Sequence, residues 1–175
     1  MKARIKYLIF IALLLGLYAF ISRSNNFYEE VYCYKVIDGD TIKAKTIDGD
    51  SMKIRIIGIN APEKNKEEYA EDSCKFAKSL LEDKIIYLEK DISDKDQYGR
   101  FLRYIWLKIP KNQSYKNIRD LNYSGISLNK GYSRTYTFEP DTKYLKEFKK
   151  IEKNTRDKKL GLWAFKGEVT RGNKR

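Results

Sequence analysis

Four short stretches of this 175-residue chain gather polar side chains at the ends of apolar runs. They are Ile37-Asp38-Gly39-Asp40-Thr41, Arg55 within the run from Lys53 to Ile59, Asn60-Ala61-Pro62-Glu63, and Asp96-Gln97-Tyr98-Gly99-Arg100. Asp38 and Asp40 flank a glycine at a strand end, where a hard cation could collect carboxylate oxygens. Arg55 stands alone among isoleucines, and burial there demands an anionic partner. Its planar fork suits a phosphate or a carboxylate gripped by two hydrogen bonds. Glu63 follows a proline in a rigid turn and could take a proton from water. Arg100 opens an apolar run just after a glycine turn. Taken singly, each motif has a plainer reading: a turn for Asp38-Gly39-Asp40, a structural ion pair for Arg55, a solvated turn residue for Glu63.

The rest of the composition narrows the chemistry. There is no histidine, so a Ser-His-Asp triad, a Cys-His pair and His-ligated zinc are all excluded. The two cysteines, Cys33 and Cys74, are too few for a four-cysteine zinc site. They either pair outside the cell or, in the case of Cys74, serve as plain core. Catalysis has to run on carboxylates, arginines, hydroxyls or an oxygen-bound metal. Lys and Arg number 36 against 24 Asp and Glu, a net charge of +12 that favours a polyanionic partner. Residues 1–24 hold four of these bases (Lys2, Arg4, Lys6, Arg23) and no acid, so most of the excess belongs to residues 25–175.

Elements that could position the motifs are legible downstream. Val31 to Ile37, Thr41 to Ile47 and Met52 to Ile59 are rich in β-branched and aromatic residues and read as strands, with Asp48-Gly49 as a hairpin turn. From Glu68 to Asp83 the period changes, and Ala70, Cys74, Ala77 and Leu81 fall on one helical face. Lys84–Glu89 and Phe101–Leu107 read as two more strands, and Lys108–Asp120 as a polar loop around Pro110. A short helix is expected near Asn122–Lys130, ending at Gly131. A longer one is expected to open at Pro140-Asp141, with Tyr144, Phe148, Ile151 and Thr155 along one side and Gly161 as its stop. The expectation is an α+β, mainly β fold: a five-stranded OB-fold barrel with about three flanking helices. At the N-terminus, Tyr7–Ile21 is an uninterrupted apolar run behind a basic start. As a helix it would reach about 22 Å, short of a hydrocarbon core of roughly 30 Å, which favours a signal peptide over a spanning anchor. The organisation expected is a leader or membrane anchor over 1–24, one domain over 25–165, and a basic, frayed tail over 166–175. That places the domain outside the cytoplasm, secreted or tethered, as a monomer.

Together the four motifs, in this order and spacing, resemble the staphylococcal nuclease (thermonuclease) family over roughly Val31 to Trp163. The resemblance rests on Asp38-Gly39-Asp40-Thr41, on Arg55 and Pro62-Glu63, on Asp96-x-Tyr98-Gly99-Arg100, and on the Leu160-Gly161-Leu162-Trp163 ending. It implies an OB barrel that hydrolyses phosphodiester bonds of DNA, RNA or both with calcium. On this resemblance Asp40, Asn60 and the Ala61 carbonyl hold the Ca2+ ion, with Asp38 in support. Glu63 is the general base, Arg55 and Arg100 bind the phosphate, and Tyr136 and Phe138 border the nucleotide. Asn60 stands where the family has an acidic ligand, so calcium is expected to bind more weakly here. The alternative is a non-catalytic nucleic-acid-binding barrel, exported or tethered to the membrane.

Overall fold

A computed structural model of the chain describes residues 28–63 and 67–164. The leader over 1–24 and the tail over 166–175 lie outside the described residues. Five strands close a barrel in the order β1-β2-β3-β6-β5: β1 (Glu29–Asp38), β2 (Thr41–Thr46), β3 (Ser51–Ile56), β5 (Lys84–Glu89) and β6 (Phe101–Trp106). All neighbours are antiparallel except β3 and β6, which run parallel with Arg55 opposite Leu102. The short β4 (Ile59–Asn60) pairs with β7 (Arg134–Thr135). The expected barrel is therefore the observed one, with one additional two-stranded ribbon.

Alternation explains the closure. Ile42 and Ala44 of β2, Met52, Ile54 and Ile56 of β3, and Ile86 and Leu88 of β5 all point into the core, while Lys43, Lys45 and Lys53 point out. Helix α1 (Ala70–Leu81) buries Ala70, Ser73, Cys74, Ala77 and Leu81, the face its periodicity predicts. The cysteines are not bridged. Cys33 on β1 and Cys74 on α1 are both buried, their sulfurs reaching the carbonyls of Lys35 and Ile37 at 4.0 and 3.8 Å. Burial pushes the Cys33 thiol up to about 11, so it stays protonated and inert.

Two expectations need correction. Lys108–Asp120 is not all loop: α2 (Tyr115–Leu121) forms at its end, capped by Ser114, whose side chain accepts from the Asn117 amide at 3.4 Å. Only Ile118 of this short helix is buried, so the hydrophobic period is too faint to read from sequence. The last helix, α4 (Leu145–Asp157), begins later than Pro140-Asp141 suggests. Asp141 is committed elsewhere, its Oδ1 accepting from the Ile92 and Ser93 amides at 2.9 and 2.8 Å. Helix α4 ends at Asp157, and Gly161 instead opens a 3-10 turn over Gly161–Ala164. Helix α3 (Tyr123–Lys130) matches expectation, capped by the Asn122 side chain and ended by Gly131 at φ 76°. Among the described residues there are four α-helices, one more than expected, and none is long and apolar enough to cross a membrane.

Behind the barrel, Glu89 is a buried carboxylate held by Trp106 Nε1 at 2.7 Å, the Tyr144 hydroxyl at 3.0 Å and Lys143 Nζ at 2.5 Å. This bundle fastens the start of α4 to β5 and β6. A buried carboxylate is tolerable only because its lone pairs are taken up.

Candidate active site

The site forms where β1 turns into β2 and β3 runs into β4. The Asp38-Gly39 turn passes so close to α1 that a side chain at Gly39 would collide with Ser73 Oγ and the Ala61 Cβ. Its carbonyl is fixed by the buried Tyr123 hydroxyl at 2.8 Å. Asp40, 6% exposed, is thereby delivered to the barrel rim, and its own carbonyl accepts from the Ile56 amide at 2.9 Å. Ser124 Oγ ties down the Ile57 carbonyl at 2.8 Å. Two side chains of α3 thus brace both strands that carry the polar motifs.

Arg55, 5% exposed, is the centre of a compact knot. Its NH1 donates to the Ile56 carbonyl at 2.7 Å, and its NH2 to Asn60 Oδ1 at 3.0 Å. The same NH2 lies 3.2 Å from Asp40 Oδ2, which also accepts from the Ala61 amide at 2.7 Å. Asp40 Oδ1 takes the Thr41 hydroxyl at 3.0 Å. The Phe138 ring covers the guanidinium at 5.0 Å, and Tyr136 lies 4.8 Å from Phe138. The three polar contacts engage the two terminal nitrogens, and Nε has no hydrogen-bond partner among the described residues. Asp38 stands just behind, its Oδ1 accepting from the Asp40 amide at 3.1 Å. Burial and the neighbouring Asp40 carboxylate push Asp38 up to about 6.

The other two candidates lie on neighbouring segments. Arg100 is gripped by Asp96: Nε and NH2 each lie 2.7 Å from Asp96 Oδ2, while Oδ1 accepts from the Tyr98 and Arg100 amides. Burial opposes ionisation of Asp96, but these bonds hold its carboxyl below the usual range. The β3–β6 register still sets Arg100 on the face of Arg55, since Leu102 faces Arg55 and residues two apart share a face. Glu63 is exposed on the turn after Asn60, and its amide donates to Glu67 Oε2 at 2.5 Å. The structure therefore gathers Asp40, Arg55, Asn60, Ala61 and Phe138. It keeps Arg100 on Asp96, and it sets Glu63 at the solvent edge. Sequence reasoning missed Tyr123, Ser124 and Thr41 as braces. Of these only Thr41, beside Asp40, carried a local signal.

The fit of a metal can be judged on the donors present. Among the described residues no three acidic, cysteine or histidine side chains come together as a metal cage. Asp38, Asp40 and the Asn60 amide oxygen nevertheless make an all-oxygen set with two neighbouring carboxylates, Asp40 buried and Asp38 half-buried. That set suits a hard cation such as calcium, completed by waters, rather than zinc.

The sequence has known relatives. Residues 53–165 match the family described as staphylococcal nuclease homologue. The chain belongs to that family. The matched stretch of the staphylococcal nuclease domain includes Arg55, Asn60, Ala61, Glu63, Arg100, Tyr136 and Phe138, with Asp38 and Asp40 just ahead of it. The chain is 34% identical to the SPbeta prophage-derived endonuclease YokF of Bacillus subtilis (strain 168) over 143 residues, 78% of this chain and 44% of that protein. It is 32% identical to endonuclease YncB of the same organism, over 78% of this chain and 62% of that one. With the thermonuclease of Staphylococcus hyicus it shares 30% identity over 80% and 79% of the two chains. It thus spans about half the length of the two endonucleases and most of the thermonuclease.

Proposed function

We propose that this chain is a calcium-dependent nuclease that hydrolyses phosphodiester bonds of DNA, RNA or both. The observation that carries the reading is the knot at the barrel rim: a buried arginine fork whose terminal nitrogens are fixed, beside two carboxylates and an amide oxygen, roofed by an aromatic ring. Phosphodiester hydrolysis needs an activated water and a partner for the charge that gathers on the phosphate oxygens. Arg55 offers that partner, pre-oriented by Ile56 and Asn60 so that little reorganisation is left for the reaction. Arg100 joins it from the same face by leaving Asp96 for the substrate phosphate. Glu63 takes the proton of the attacking water, and its solvent position suits return of that proton to bulk. Asp40, Asn60 and the Ala61 carbonyl would hold calcium, which when bound adds positive charge beside the scissile phosphate. Phe138 and Tyr136 pack against the nucleotide.

Asn60 offers the direct test of this site. Its oxygen faces the Asp40 carboxylate through the shared Arg55 NH2, so a carboxylate at this position adds one formal charge to the metal site. Asn60→Asp is expected to lower the calcium concentration for half-maximal DNA cleavage by roughly tenfold or more, equivalent to about 1.4 kcal/mol per decade. Asp40→Asn is expected to abolish the calcium response. An unchanged midpoint in Asn60→Asp overturns the placing of residue 60 at the metal.

The domain works outside the cytoplasm, supported by the basic start and apolar run of residues 1–24. Protease added to intact cells should digest the tethered domain, or cleaved protein should appear in the medium. Full-length chain found soluble in the cytoplasm would refute this.

A further inference from the structure

The outer face of β1, β2 and β3 carries a belt of cations that the catalytic knot does not use. Lys35 lies opposite Lys43, and Lys43 lies opposite Lys53, so three lysines stand in register on adjacent strands. Lys45 follows Lys43 on the same face. The parallel register of β3 with β6 begins at Ile54 opposite Phe101, so carrying it back one residue brings Arg100, just ahead of β6, level with Lys53. β2 and β3 contain no acidic residue, and none of the three lysines has an ion pair among the described residues. Like charges directly opposite on neighbouring strands are unfavourable unless something neutralises them. The belt lies along the strands from the site, because Lys53 and Arg55 share a face of β3, as do Lys43 and Thr41 of β2.

A bulge adds an aromatic to this row. The β1–β2 register shifts between Cys33 and Lys35, leaving Tyr34 as the extra residue. Cys33 and Val36 point inward, and the consecutive Tyr34 and Lys35 both point out. The Lys45 ammonium sits 5.5 Å from the Tyr34 ring. Four neighbouring strands span about 14 Å at roughly 4.8 Å spacing, long enough for several consecutive phosphates. Lysines in file with an interleaved tyrosine are the components of a sequence-independent single-strand track.

We propose that this belt is a nucleic-acid exosite, on which Lys35, Lys43 and Lys53 hold the phosphates of the single strand flanking the scissile bond and Tyr34 stacks on a base. The inference rests on the nuclease reading for its substrate, yet it is read by binding alone. The single strand crosses β1, β2 and β3 on these lysines and turns onto the Arg55 knot two residues beyond Lys53 on the same face of β3, so chain length, rather than base identity, sets affinity.

The test is binding of a fluorescent 20-nucleotide oligo-dT in chelator, followed from 50 to 200 mM salt. Each lysine that neutralises a phosphate contributes about 0.7 to the log–log salt slope on single strands. The variant Lys35→Gln/Lys43→Gln/Lys53→Gln should lower that slope by about 2 and weaken binding at least tenfold at 50 mM salt. Single Lys43→Gln should lower it by about 0.7. Tyr34→Ala should weaken binding severalfold and leave the slope alone. A control with equal charge removed from exposed positions elsewhere, Lys111→Gln/Lys149→Gln/Lys158→Gln, should keep the parent slope. Because the triple belt variant relieves like-charge repulsion, its melting temperature should be no lower than the parent's. Equal slopes for belt variant and control overturn the exosite, as does belt-dependent binding of anionic phospholipid vesicles without any change in the oligonucleotide slope. A parent that cleaves DNA while the belt variant keeps the parent slope sinks the exosite and leaves the nuclease standing. A belt-dependent slope in a parent that cleaves nothing does the reverse.

Discussion

Glu63→Gln is expected to lower calcium-saturated turnover on DNA by roughly 10²–10⁴-fold, the usual worth of a general base. The substitution keeps the side-chain shape and removes the basic oxygen. The chain has no histidine to take over the role. Because Glu63 is exposed at the end of the Asn60-Ala61-Pro62 turn, its replacement should leave folding stability within about 0.5 kcal/mol of the parent. Oligonucleotide binding in chelator should also be unchanged, since the loss lies in the chemical step. Initial rates at saturating calcium and substrate, with a thermal melt as control, measure all three. Turnover close to the parent's removes Glu63 from the reaction. An equal collapse of binding or melting temperature assigns it to structure instead.

The barrel was legible because its strands are half-buried: Ile42 and Ala44 of β2 and Met52, Ile54 and Ile56 of β3 alternate with polar residues, and the alternation survives without any knowledge of partners. The polar motifs were legible for the same reason, since Asp40, Arg55 and Asn60 break apolar runs at strand ends. Most of what escaped depends on contacts distant in sequence. Tyr123 reaches the Gly39 carbonyl across 84 residues, and Ser124 the Ile57 carbonyl across 67. Nothing local distinguishes these side chains from ordinary helix residues. Pro140-Asp141 reads as the opening of a helix, yet the Asp141 carboxylate serves two amides 48 and 49 residues away. The grip of Asp96 on Arg100 lies within four residues. It escaped because the Asp96-x-Tyr98-Gly99-Arg100 motif was read for Arg100 alone, with no role for its first residue. The Tyr34 bulge is invisible in sequence, since register belongs to the pair of strands and not to either one.

Arg55→Lys is expected to cost roughly 10²–10³-fold in turnover although the charge is kept. An arginine presents up to five donors in one plane; a lysine presents three around a point. In the folded chain two guanidinium nitrogens already serve the Ile56 carbonyl, Asn60 Oδ1 and Asp40 Oδ2, and Nε, with no hydrogen-bond partner among the described residues, is the donor proposed for the phosphate. A lysine ammonium drawn to Asp40 would abandon the Ile56 carbonyl and have no planar edge for the substrate. Loss of a pre-oriented donor to developing charge is what the expected factor measures. Stability should respond differently. Lysine still neutralises Asp40, so its cost should be well below the roughly 3–5 kcal/mol expected for Arg55→Met, which leaves Asp40 buried and uncompensated. Urea unfolding of the two variants, with rates taken where each is fully folded, separates the roles: Arg55→Lys should lose turnover with stability largely kept, and Arg55→Met should lose both. If Arg55→Lys cuts DNA as fast as the parent, positive charge alone suffices, and the fork of Arg55 is a brace for Asp40 and Asn60 rather than part of the reaction.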